Sequence, residues 1–246
     1  MNRRALLGAA AALTLGAACS PARATPRLCP APPELAEVDQ RLPHVAARLR
    51  ARAPITIVAI GGASTRGAAA GSPDNAYPHR LQLALAAALP RAPLTVINEG
   101  VPRQTAADMV VRFATDVLPA QPALVVWEVG ISDAVRGTEL DDFAEALQTG
   151  IDQLKKWAID IILVDMQFSQ KANAVIDFER YLETVHRVGD LNDVYVFPRY
   201  ELMRFWSEQH LFDLDEVGGG ERIRLAAGVY DCIGLRLAEA IRRAAR

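Results

Sequence analysis

The chain has 246 residues, 51% of them hydrophobic and 23% charged, with a formal net charge of −2. That length buries a sizeable core in one ordinary globular domain, and neither an internal repeat nor a second domain shows. Acidic and basic residues are mixed, with no basic stripe interleaved with aromatics, which argues against a nucleic-acid partner. No Cys/His cluster has metal-ligand spacing, so neither metal nor cofactor is expected.

In chain order, Arg3 and Arg4 precede an apolar stretch from Ala5 to Ala18, and Ala22-Arg23-Ala24 supplies a small-x-small cleavage site. This is the layout of a bacterial-type export signal over 1–24, with an apolar run too short to span a bilayer. It predicts a periplasmic or secreted protein with no transmembrane segment in the mature chain. Asn2-Arg3-Arg4-Ala5-Leu6-Leu7 fits an ordinary Sec signal and a twin-arginine signal equally. Lipid attachment at Cys19 is the third alternative, against which Gly16 stands where a lipobox has a large aliphatic residue. Cleavage after Ala24 leaves 24 basic residues against 29 acidic. It also leaves Cys29 and Cys232, which either pair in an oxidising compartment, stapling the arm to the last helix, or stay separate thiols.

A proline-rich arm and a helical stretch at 34–52 make up 25–53, and the main domain follows over 54–246. Apolar runs of strand length lie at 55–60, 94–98, 123–129, 160–164 and 194–197. Helical spacing occupies 76–89, 104–117, 139–157, 174–189, 199–209 and 226–244. Strands apolar throughout and separated by helices predict a five-stranded parallel sheet covered on both faces, a three-layer α/β/α sandwich. Ligands of such sheets meet the carboxyl ends of the strands. The loops to interrogate are therefore 61–75, 99–104, 130–138, 165–173 and 210–225.

The first of them carries Gly61-Gly62-Ala63-Ser64-Thr65-Arg66-Gly67. Gly62 and Gly67 have P-loop spacing, but Ala68 and Ala69 stand where lysine and a hydroxyl residue are needed. The dinucleotide fingerprint fails as well, since the two glycines are adjacent. A flavin-phosphate loop could still use Ser64 and Thr65.

"IVAIGGASTRG", "VINEGVPRQTAADM" and "VVWEVGISDAVRG" resemble the first three blocks of the SGNH (GDSL-type) esterases and lipases. The resemblance covers about residues 54 to 243 and implies a flavodoxin-like SGNH hydrolase fold. In that family a block-one serine attacks the ester carbonyl. Its own N–H, a block-two glycine N–H and a block-three asparagine bind the oxyanion. A C-terminal histidine, oriented by an aspartate three residues before it, takes the proton. A serine hydroxyl needs that base, and the oxyanion needs those aimed donors.

Carried over by position, the nucleophile falls on Ala63, with Ser64 one place later. Gly100 fits the block-two glycine. Gly130 opens block three, where Ser132 replaces asparagine and Asp133 follows. Glu221 and Arg224 fall at the aspartate and the histidine. The chain's histidines are His44, His79, His186 and His210, and none follows residue 210. Serine, asparagine and histidine are thus all replaced.

Two functions follow. In the first, a catalytically silent protein of the cell envelope binds a partner or a ligand such as a small ester, glycan or anion, with Arg66, Arg103, Asp133 and Arg224 as candidate contacts from loops at one end of the sheet. An arginine there holds an anion but cannot act as a base near neutrality. In the second, a rebuilt esterase uses Ser64 as nucleophile, Ser132 and the Gly100 N–H for the oxyanion, and His210 or His79 as base. Asp165, Gln167 and Ser169 either face the same cleft or cap the next helix. Glu128, inside an apolar strand, either bonds near the site or marks the strand's end.

Overall fold

A computed structural model describes residues 29–212 and 218–246. The expected export signal, its cleavage site and Cys19 lie outside the described residues. Each of the five apolar runs forms a strand. In chain order, a 3-10 turn (Pro33–Leu35) and α1 (Pro43–Ala51) precede β1 (Ile55–Gly61). The short α2 (Ala63–Arg66), two 3-10 turns and α3 (Tyr77–Ala88) lead to β2 (Leu94–Gly100). Next come α4 (Ala106–Arg112), β3 (Leu124–Glu128), α5 (Ile131–Arg136), α6 (Leu140–Lys156) and β4 (Asp160–Val164). The chain continues through α7 (Gln170–Asn173), α8 (Glu179–Leu191), β5 (Tyr195–Phe197), α9 (Arg199–Glu208) and α10 (Gly219–Ala244).

The strand order is β2-β1-β3-β4-β5 and every pairing is parallel. This is the flavodoxin-like order, in which the connections reverse direction beside β1. The period-two alternation of a strand sorts its side chains between two cores. Ile55, Ile57, Ala59, Leu124 and Val126 pack with Leu81 and Leu85 of α3 and with Ile233, Leu237 and Ile241 of α10. Val58, Ile60, Val125 and Trp127 pack on the other face with Met109, Phe113, Leu147, Ile151 and Val185. Helices on both faces complete the three layers. Trp127 and Trp206 are fully buried core residues.

Several boundaries differ from the periodicity. The expected 34–52 helix is a 3-10 turn and a separate α1, because Pro43 occupies a first-turn position and cannot continue a helix from the preceding residues. The 104–117 stretch stops as α-helix at Arg112 and finishes in a π turn that seats Phe113 and Val117 in the core. The 174–189 stretch is helical only from Glu179, with α7 placed before it. The last helix begins at Gly219. The glycines at 218–220 read as loop, but glycine is tolerated at a helix N-terminus, and the helix takes in Glu221 and Arg224.

Cys29 and Cys232 form a disulfide, with Cα atoms 5.3 Å apart. One residue on, the Pro30 carbonyl accepts a hydrogen bond from Trp206 Nε1 at 2.7 Å. The arm is thereby fastened to α10 and to α9.

Candidate functional site

The carboxyl ends of the strands converge on the loop after β1. Gly61 and Gly100 are register partners at the ends of β1 and β2. A Cβ on Gly100 would lie 2.3 Å from the Arg66 nitrogen, so only glycine lets the turn of α2 close over β2. Gly62 caps α2, and Gly67 ends it at φ +87°, a left-handed value. This tight turn decides where neighbouring side chains go. Ala63 is exposed, whereas Ser64 and Thr65 point inward, Ser64 at 7% exposure.

Ser64 Oγ donates to Gln167 Oε1 at 3.0 Å and sits beside the Tyr230 hydroxyl, whose pKa burial raises. No histidine bonds Ser64 among the described residues. Thr65 anchors a buried polar chain. Its N–H donates to Glu128 Oε2 at 2.9 Å, its hydroxyl donates to the same oxygen, and the Tyr77 hydroxyl lies 3.0 Å from Thr65 Oγ1. Burial and the Glu128 charge push Tyr77 well above the ordinary phenol range. On the far side of Glu128, Oε1 lies 3.1 Å from Arg199 Nη1. Both side chains are 1% exposed. Glu128 is therefore a buried ion-pair partner placed directly beneath the block-one turn.

The remaining positions distribute as follows. The Gly100 N–H donates to Asn98 Oδ1 at 2.9 Å, while Asn98 Nδ2 donates to the Thr65 carbonyl at 2.7 Å. That amide thus has an acceptor of its own chain. Gly130 adopts φ +93° with Met166 against it, and opens α5 so that Ser132 and Asp133 are buried in its first turn. Arg66 and Arg224 are exposed, and Arg224 sits with Glu221 on α10. Arg224 is therefore a helix residue, not the loop residue expected, because α10 starts earlier than its apolar pattern. Arg66 likewise belongs to α2. Exposed Arg103, at φ +68°, is in a turn where its carbonyl accepts from Arg136 Nη2 at 2.6 Å. Neither Arg66, Arg103 nor Arg224 lines the cavity beside Ser64, which Arg199, Arg222, Gln167 and Tyr230 do line.

Among the histidines, His210 is exposed at φ +53°, its N–H donating to the Ser207 carbonyl where α9 ends. His79 lies in the first turn of α3. His186 Nε2 is 3.1 Å from Asp165 Oδ2, a bond that raises the histidine pKa. Asp165 Oδ1 also accepts the Tyr200 N–H at 2.8 Å, and Ser169 caps α7 through the Ala172 N–H. Asp165 and Ser169 thus serve helix starts.

Asp133, 1% exposed, accepts the Ala106 N–H with both oxygens at 3.2 Å, tying block three to the start of α4. Burial pushes its pKa up to about 6 from 3.8. A carboxyl raised in the fold contributes stability that is complete below its unfolded pKa and is lost as pH rises through the folded one. Asp133→Asn keeps the acceptor and never ionises. The variant's stability relative to wild type should therefore grow by about 2–3 kcal/mol between about pH 4 and pH 7. Urea unfolding across that range reads it, and a flat difference would contradict the assignment.

Arg199, Tyr77 and Asn98 escaped the sequence reading. Arg199 follows a strand and a proline at the start of an amphipathic helix, where an arginine ordinarily faces solvent. The one available signal was Glu128, a carboxylate inside an apolar strand that needs a buried cation.

A family model described as the non-GDSL lipase-like family matches residues 28–246. Among curated proteins, none matches the chain. Similar solved structures include a G-D-S-L family protein from Desulfitobacterium hafniense DCB-2, 21% identical with TM-score 0.57, covering 75% of this chain and 98% of its own. TesA is 18% identical with TM-score 0.60, covering 74% of this chain and 97% of its own. A two-domain esterase active on acetylated mannans is 19% identical with TM-score 0.64, covering 83% of this chain and 55% of its own. At these identities the structures establish the fold alone.

Proposed function

Because the chain belongs to the non-GDSL lipase-like family, whose fold in this chain is that of the SGNH hydrolases, we propose that it is an exported member that has lost ester hydrolysis. It binds a small ester, glycan or anionic ligand in the cell envelope. The observation that carries this reading is the block-one turn. The nucleophile's position is Ala63, which has no oxygen, and the adjacent Ser64 hydroxyl is turned inward onto Gln167 and Tyr230. A serine without a base beside it is a poor nucleophile.

Three further features support it. Arg224 stands at the base position, and guanidinium stays protonated at any ordinary pH. The Gly100 N–H, a donor that the family aims at the oxyanion, is engaged by Asn98. His210 and His79 hold positions at the end of α9 and in the first turn of α3. The disulfide supports export, since such bonds persist in oxidising compartments. No described helix is long and apolar enough to cross a membrane.

The test is turnover of short-chain nitrophenyl esters and acetylated sugars by wild type beside Ser64→Ala. Both proteins should match the rate without protein, because Ser64 contributes a buried hydrogen bond and no chemistry.

A further inference from the structure

Beside Ser64 lies a cavity of about 270 Å³, between the segment after β4, the start of α9 and the first half of α10. About half of its wall is apolar, with Phe168, Met203, Val229 and Ile233 contributing. Two arginines line it: Arg199, 1% exposed, and Arg222 on the exposed first turn of α10. Arg199 is unusual for a buried cation. Nε, Nη1 and Nη2 all lack a hydrogen bond among the described residues, although Nη1 is close to Glu128 Oε1.

A guanidinium cannot shed its charge to escape this cost, and buried donors left without acceptors are expensive. Glu128 neutralises Arg199 but leaves its donor fork without acceptors, while Arg222 adds a second positive charge to the same wall. A carboxylate matches both needs: two oxygens for the planar fork and one negative charge for Arg222, which has no acidic partner among the described residues. The apolar remainder of the wall requires an apolar body behind that carboxylate. A cavity of about 150 Å³ takes benzene, so this one holds roughly ten non-hydrogen atoms.

We propose that the cavity lined by Arg199 and Arg222 is a binding site for a small monocarboxylate with an apolar tail. This deepens the binding role proposed above and rests on it. It moves the anion contacts from Arg66, Arg103 and Arg224 to a buried site one hydrogen bond away from Ser64, through Gln167. Ester turnover has no part in it, so the silent-site reading and this one can fail separately.

The probe is octanoate, titrated calorimetrically into the full disulfide-bonded chain at low salt, with octanamide as its uncharged counterpart. Octanoate should bind with one-to-one stoichiometry and octanamide at least tenfold more weakly. Arg222→Gln, an exposed change that leaves the buried pair intact, should weaken octanoate at least fivefold and leave octanamide unaffected. The double variant Glu128→Gln/Arg199→Met removes the buried pair together and should abolish octanoate binding while retaining the wild-type circular dichroism spectrum. Equal affinities for acid and amide would overturn the proposal. So would octanoate binding unchanged in Arg222→Gln, or no binding at millimolar concentration.

Discussion

Arg199→Met alone will destabilise the protein by about 3–5 kcal/mol, whereas Glu128→Gln/Arg199→Met will lie much closer to wild type. The single change strands the Glu128 carboxylate at 1% exposure beneath the block-one turn, held by Thr65 but with its charge unmatched. The double change removes both charges and keeps an acceptor for the Thr65 N–H. Breaking a buried pair exposes the full desolvation cost of the survivor, while deleting the pair does not. Denaturant unfolding of wild type and both variants measures this. Equal losses in single and double variants would mean that the pair contributes to stability only through packing.

The second large effect concerns the arm. Cys29 and Cys232 close a loop of 203 residues in sequence. Chain-entropy reasoning assigns such a closure about 5 kcal/mol, and losses of native disulfides fall between about 2 and 5. Cys29→Ser/Cys232→Ser should accordingly lose at least about 2 kcal/mol. The loss should be matched by wild type under reductant, and the doubly substituted protein should not respond to reductant at all. Cys232 is fully buried in α10, so serine there adds a modest polar cost that the reductant comparison separates. Wild type that is equally stable with and without reductant would contradict a structural bond.

What the sequence disclosed divides along physical lines. Strands buried on both faces leave continuous apolar runs, and all five were legible, with the three-layer architecture following from their alternation with helices. Gly61, Gly100 and Gly130 were legible because close approach or positive φ leaves few substitutes. Helix boundaries were less so. The start of α10 lies in exposed residues, glycines among them, that carry no apolar pattern to mark it, and that early start moves Arg224 out of a loop.

The ion pair was the least legible feature. Glu128 ends β3 and Arg199 follows β5, and only sheet order brings the two elements near. Arg199 looks like any surface arginine until Glu128's burial is known. The orientation of Ser64 was half-legible. A one-residue offset in a tight turn predicts a different direction, but the neighbours Gln167 and Tyr230 come from segments remote in sequence.

The central claim is that the family's nucleophile has been lost at Ala63 and has not been replaced by Ser64. The measurement that bears on it most directly is the initial rate on short-chain nitrophenyl and acetyl-sugar esters for wild type and Ser64→Ala. The account predicts rates for both that equal spontaneous hydrolysis. Turnover by wild type that disappears in Ser64→Ala would contradict it and establish a rebuilt esterase.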